Sequence, residues 1–248
     1  MSAVGHGLLT GKSVLVTAAA GAGIGLATAR RCAEEGARIV ISDIHERRLA
    51  EAAEELGAHA IRANVTDEDD VQRLIAETVE VCGGLDVLVN NAGLGGEVEL
   101  TEMTDDQWFS VLDVTLTGTM RMTRAALRHM CPRGTGAIVN NASVIGWRAQ
   151  RGQSHYAAAK AGVMALTRCS AVEAAPHGVR VNAVAPSLAV HPFLAKVTSE
   201  ELLTELAARE AFGRGADPVE VANVIVFLAS DLASYMTGEV VSVSSQHP

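Results

Sequence analysis

In the stretch S-H-Y-A-A-A-K, residues 154–160, a tyrosine and a lysine stand four positions apart in a run of alanines. Alanine has the highest helix propensity. Residues four apart on a helix share one face, with about 5–6 Å between their Cβ atoms. Tyr156 and Lys160 would then stand side by side with nothing bulky between them. Such a pair can do acid–base chemistry. A free phenol titrates near pKa ~10, and holding it near ~7 takes ~4 kcal/mol. One cation about 4 Å away, at an effective dielectric of ~20, supplies roughly that amount. The spacing also fits an amphipathic surface helix carrying an incidental pair, so its meaning depends on what accompanies it.

A second chemical pattern lies near the start of the chain. T-A-A-A-G-A-G-I-G (17–25) begins at Thr17 on an apolar run and leads into a helix from about Ile24. Gly21, Gly23 and Gly25 let the backbone turn tightly and approach a ligand, and the N–H groups of the following helix suit a pyrophosphate. Tight-turn geometry alone would also use glycines, but a strand before and a helix after favour dinucleotide binding. Asp43 follows Gly25 by 18 residues. A carboxylate there accepts bonds from ribose hydroxyls and repels a 2′-phosphate. Positions 22 and 44 are Ala and Ile, and Arg47 and Arg48 come a turn later. NAD(H) is therefore expected over NADP(H).

The elements that must hold these residues follow from the hydrophobic pattern. Short apolar runs at 13–17, 37–42, 59–65, 85–93, 137–143, 179–186 and 239–244 read as seven strands. Helical patterns alternate with them at about 24–35, 47–56, 68–81, 105–130, 155–175 and 220–230. Strands apolar at consecutive positions are covered on both faces. The pattern is that of a doubly wound, parallel α/β sheet in a single domain spanning 1–248. Only 187–217 breaks the rhythm. It is expected to form one or two helices over the carboxyl edge of the sheet, apolar enough to cover a bulky hydrophobic substrate or simply to pack on its neighbours.

Composition narrows the class. The chain is 48% hydrophobic and 20% charged, as for a globular protein, and its net charge of −9 argues against nucleic acid as a partner. No apolar run approaches the ~20 residues that span a bilayer, and no basic-then-apolar leader opens the chain. Cys32, Cys82, Cys131 and Cys169 form no C-x-x-C pair and read as reduced thiols of a cytoplasmic protein. The eight histidines lack metal-ligand spacing, so no metal is expected.

Taken in order, the glycine turn, N-N-A-G (90–93), Ser143, Y-x-x-x-K, N-A-V-A-P (182–186) and F-L-A-S-D…T-G (227–238) resemble the short-chain dehydrogenase/reductase family over essentially the whole chain. Ser143 precedes Tyr156 by 13 residues, the spacing of that family. The resemblance implies a Rossmann-type fold, with Ser143, Tyr156 and Lys160 catalytic. Ser143 would hold the substrate oxygen and Lys160 would also bond the nicotinamide ribose. It places Asn91, Ala92 and Gly93 along the cofactor channel, Asn64 and Val65 at adenine, and Pro186, Ser187 and Ala189 at the nicotinamide amide. It also implies a homotetramer or dimer, paired through the helices at 105–130 and 155–175. His155 would point to another face and take no part in catalysis.

Three positions depart from the family pattern. Thr115, in D-V-T-L-T-G-T, replaces an asparagine that serves in a proton relay, which puts the relay in doubt. Pro186-Ser187 replaces proline-glycine, and Ala189-Val190-His191 follows it. The tail reads Ser244-Ser245-Gln246 in place of D-G-G. Together T-A-A-A-G-x-G-I-G (17–25), S-D-x-H-E-R-R-L (42–49), V-T-L-T-G-T (114–119) and the S-V-S-S-Q tail (242–246) resemble a group of actinobacterial sterol-catabolism enzymes. That implies a ring alcohol or ketone, carried as a coenzyme A thioester, with His191 and Phe193 facing the substrate. The alternatives are a 3-oxoacyl-thioester reductase using NADPH and a non-catalytic dinucleotide-binding or sensing protein.

Overall fold

The computed structural model describes residues 5–190 and 200–245. The apolar runs become strands β1 (Ser13–Thr17), β2 (Arg38–Asp43), β3 (His59–Arg62), β4 (Val87–Asn90), β5 (Gly136–Asn141), β6 (Val179–Pro186) and β7 (Val240–Val243). They form one sheet in the order β3-β2-β1-β4-β5-β6-β7, and every pairing is parallel. The strand order reverses between β1 and β4, so a crevice opens at their carboxyl ends, where such sheets hold ligands.

The helices are α1 (Ile24–Glu34), α2 (Glu46–Leu56), α3 (Glu68–Cys82), α4 (Asp105–Leu112), α5 (Gly118–Arg133), α6 (Ser154–Ala174), α7 (Glu200–Arg209) and α8 (Pro218–Ala229). Successive strand side chains point to opposite faces, which divides the interior into two cores. Val14, Val16, Val87 and Val89 pack with Ala29, Leu49 and Ile225 under α1, α2 and α8. Leu15, Leu88 and Ile138 pack with Leu74, Met122 and Ala171 under α3, α5 and α6. The strands are thus apolar at consecutive positions because both faces are covered.

The single helix expected at 105–130 is interrupted. Residues Asp113–Thr117 wind as one wider turn, with bonds from i to i+5, between α4 and α5. Such a bulge inserts one extra residue and turns a side chain out of the regular helical face. Here it directs Thr115 into the protein. In 187–217 the described helix is α7, and Ala189 pairs with Ala216 beside it. His191, Phe193 and Gln246 lie outside the described residues.

A buried carboxylate ties the start of the chain to this frame. Glu35 is fully buried and accepts from the His6 N–H at 2.8 Å, the Leu8 N–H at 3.1 Å and the Arg31 guanidinium at 2.6 Å. Arg31 reaches on to Asn223 at 2.9 Å, joining α1 to α8. Burial pushes the Glu35 carboxyl up, but the bonds from Leu8, Arg31 and His6 outweigh it and hold it below the usual range. A depressed carboxyl adds stability above its unfolded pKa, and that stability is lost as pH falls through the folded value. Glu35→Ala is expected to lower unfolding free energy by about 3 kcal/mol at neutral pH. Denaturant melts should show the gap to wild type closing below about pH 4.

Candidate active site

The glycine turn and the N-N-A-G loop clasp each other at the crevice. Thr17 Oγ1 accepts the N–H groups of Asn91 at 3.0 Å and Ala92 at 3.1 Å. Asn91 Nδ2 returns bonds to the carbonyls of Thr17 at 3.2 Å and Ala18 at 3.1 Å. Ala18 has φ +50, the one positive φ among the described non-glycine residues. A side chain there costs roughly 1–2 kcal/mol, and the Asn91 clamp holds the carbonyl in place. Sequence reading centred on the glycines and missed this alanine.

The turn suits a dinucleotide on the evidence of its own packing. A β-carbon on Gly25 would stand 2.4 Å from the Ala18 carbonyl oxygen and 2.5 Å from Asn91 Nδ2, so only glycine fits that side. Gly21 has nothing within 4 Å of the same test position. Gly23 begins α1 with no side chain bonded to the helix's first N–H groups, whereas Asp67 caps α3 and Thr104 caps α4. The turn is therefore closed toward the protein and open toward the crevice, with amide donors on the open side. Asp43 stands at the end of β2, its oxygens accepting from the Ala20 N–H at 3.2 Å and the His45 N–H at 2.9 Å. Burial pushes its carboxyl up, while the Ala20 bond and the nearby Arg48 charge oppose that shift. Asn64 accepts the Thr66 N–H at 3.1 Å through its side-chain oxygen, and Val65 is buried next to it.

Ser143, Tyr156 and Lys160 come together at the ends of β5 and α6. The Ser143 hydroxyl is bonded to the Tyr156 phenol, and its oxygen also accepts the Ile145 N–H at 3.3 Å. Lys160 Nζ lies 5.5 Å from the centre of the Tyr156 ring and donates to the Asn141 carbonyl at 2.5 Å. The expected lowering of the phenol toward neutrality is not what this geometry produces. Burial pushes Tyr156 up to about 12, with Ser143 drawing it part of the way back, and burial pushes Lys160 down to about 8. The ammonium sits over the ring and is engaged by a carbonyl, so desolvation dominates both groups.

Thr115 is bonded through its hydroxyl to the backbone of the loop after β4. It is fully buried, and its hydroxyl accepts from the Leu94 N–H at 2.9 Å and donates to the Leu94 carbonyl at 3.0 Å. Its own carbonyl accepts the Thr119 hydroxyl at 2.8 Å. The hydroxyl neither faces water nor bonds back along its own helix; it clips the loop after β4 to the wide turn.

Past β6, the Ser187 N–H donates to the Val243 carbonyl at 3.2 Å, fixing the segment that begins at Pro186. Leu188 and Val190 exchange bonds with Ala216 at 2.7 and 3.0 Å, which brings Ala189 beside it. In the tail, the Ser245 hydroxyl donates to Glu210 at 2.9 Å. His155 is 2% exposed, with Nδ1 buried and unbonded, and burial lowers its pKa.

Asn141 is a further residue that motif reading missed. Its carbonyl holds Lys160, and its Nδ2 donates to Asn91 Oδ1 at 3.0 Å. One line of bonds thus runs from the glycine turn through Asn91 and Asn141 to the lysine. The repeated tetrapeptide V-N-N-A, at 89–92 and 139–142, was the available signal.

With this geometry established, the family model described as Enoyl-(Acyl carrier protein) reductase matches residues 18–245. The chain belongs to the short-chain dehydrogenase/reductase family and is an NAD(P)-dependent oxidoreductase of alcohol and ketone groups. It is 64% identical over 253 residues, 98% of this chain and 96% of the relative, to (5R,7aS)-5-hydroxy-7a-methyl-1-oxo-2,3,5,6,7,7a-hexahydro-1H-indene-carboxyl-CoA reductase of Mycobacterium tuberculosis. It is 45% identical over 235 residues, 93% of this chain and 94% of the relative, to cis-4-hydroxycyclohexanecarboxylate dehydrogenase of Sinomonas cyclohexanicum. A solved short chain dehydrogenase from Mycobacterium smegmatis superposes with a TM-score of 0.88 at 58% identity, covering 98% of this chain and 96% of that one.

The buried lysine yields a pH test. Between the folded value of about 8 and the ordinary lysine value of ~10.4, the unfolded chain holds a proton that the folded chain has released. Stability from this group therefore rises with pH across that window. Lys160→Met is expected to lose that slope in denaturant melts at successive pH values. A variant with the wild-type slope would show that Lys160 is not desolvated.

Proposed function

We propose that this chain interconverts a secondary alcohol and a ketone on a carbocyclic ring carried as a coenzyme A thioester, with NAD(H) as its cofactor. The observation that carries the reading is the Ser143–Tyr156 hydroxyl pair with buried Lys160 over the ring, beside a turn open to a dinucleotide. The ring substrate is supported by the two relatives, both named as oxidoreductases of a hydroxylated carbocycle, one of them carried as a CoA thioester.

NAD(H), when bound, supplies or accepts the hydride. Ser143 donates to the substrate oxygen and holds it beside the phenol. A phenol at about 12 keeps its proton at neutral pH, so Tyr156 is set to protonate the oxygen of a ketone undergoing reduction. The Lys160 ammonium then stabilises the phenolate, and in the reverse direction the same charge favours proton uptake by Tyr156. Thr115 keeps Leu94, and with it the loop wall, in place. Asp43 receives the adenosine ribose hydroxyls, and Asn64 with Val65 meets adenine. Ala92 and Gly93 flank the channel, and Pro186, Ser187 and Ala189 meet the nicotinamide amide.

Assembly as a homotetramer or dimer is supported by apolar side chains on α4 and α6, where Phe109 is 62% and Val172 76% exposed. The four cysteines are unpaired, which supports a reducing compartment such as the cytoplasm.

Absorbance at 340 nm with a ring ketone thioester and NADH tests the chemistry. Tyr156→Phe is expected to lower kcat by about 10²–10⁴-fold while NAD⁺ binding by calorimetry stays intact; full activity in that variant would sink the proposal. Asp43→Ser tests the cofactor. Its kcat/KM with NADH should fall about tenfold or more relative to NADPH, and an unchanged ratio would remove Asp43 from ribose recognition.

A further inference from the structure

After N-N-A-G the chain continues Leu94-Gly95-Gly96, and these residues lie along the first turns of α6. Test β-carbons report the register. One on Gly93 would stand 3.6 Å from Lys160 Nζ, one on Gly95 would stand 3.8 and 3.9 Å from Cδ2 and Cε2 of Tyr156, and one on Gly96 would stand 3.2 Å from His155 Nε2. The strip therefore faces Lys160, Tyr156 and His155 in turn.

None of these three glycines has a positive φ, so other residues could adopt the same backbone. Glycine nevertheless carries an entropic cost on folding, which points to space as its use here. At Gly96 the reason is contact: a β-carbon would press on the buried His155 imidazole. At Gly95 that reason fails. A β-carbon there would make ordinary contact with one edge of the Tyr156 ring and meet nothing else within 4 Å. The strip has little freedom to retreat, because the N–H and carbonyl of Leu94 are both bonded to Thr115. A side chain at 95 would therefore remain against the tyrosine.

We propose that Gly95 is a specificity-determining position that keeps the Cδ2–Cε2 edge of Tyr156 clear, so that a ketone set in a rigid, broad ring can reach the phenol. This rests on the reading of Tyr156 as proton donor to a ring ketone. A flexible acyclic ketone can turn its bulk away and does not need the clearance. Alanine at 95 would fill part of the space without displacing the ring, and valine would extend along its edge.

The test compares kcat/KM of the wild-type enzyme, Gly95→Ala and Gly95→Val with NADH and three ketones: a decalone, cyclohexanone and acetoacetyl-CoA. In Gly95→Val the rate with the decalone, relative to the narrowest ketone accepted, is expected to fall at least about tenfold, with Gly95→Ala between it and wild type. Thermal melting and NAD⁺ binding report whether the fold and the nucleotide turn are intact. An equal fall with every ketone would assign Gly95 a structural role, and no fall would show that the edge is not used; either overturns the proposal. Wild-type enzyme that reduces neither ring ketone would remove the ring reading itself, and the clearance proposal with it.

Discussion

The Lys160 ammonium is 3% exposed, and a charge so placed must be engaged by hydrogen bonds or give up its proton. The protein does some of each: the Asn141 carbonyl takes a bond at 2.5 Å, and burial still lowers the lysine to about 8. Much of the site is arranged around that position. Asn141 is held by Asn91, which in turn fixes the carbonyls of Thr17 and Ala18 in the nucleotide turn. Gly93 leaves room beside Nζ, and the ring of Tyr156 lies below it. Lys160, Asn141, Asn91 and the glycine turn are parts of one hydrogen-bonded unit.

The same tetrapeptide, V-N-N-A, closes β4 and β5, and its two asparagines do different work. Asn90 and Asn140 are paired in register and face the core under α5 and α6, where they bond each other, Thr123 and Thr167. Asn91 and Asn141 face the crevice and join the turn to the lysine. The division follows from the two-residue period of a strand, which sends neighbouring side chains to opposite faces. One pair links the sheet to the helices above it, and the other links the turn to the lysine.

Thr115 shows how a local irregularity positions a residue. The wide turn at Asp113–Thr117 breaks the helical register, so the hydroxyl reaches the Leu94 backbone instead of a carbonyl in its own helix. Leu94 in turn sets the path of the glycine strip along the tyrosine. Thr115 thus clips the loop after β4 to the wide turn.

The amino-acid sequence by itself determined the alternation of strands and helices, the parallel doubly wound sheet, the glycine turn followed by Asp43, and the Tyr156–Lys160 pair on one helical face. Each depends on period, propensity or spacing, which are local properties written along the chain. Its strand ends ran long at β3, β4, β5 and β7, because residue type does not mark where backbone pairing stops. Tertiary structure alone decided the wide turn at Thr115, the Asn91–Asn141 line, the placing of Gly95 opposite the edge of the tyrosine ring, and the direction of the Tyr156 and Lys160 pKa shifts. These depend on which distant groups meet and how much water they exclude, and desolvation has no signature in the spacing of residues.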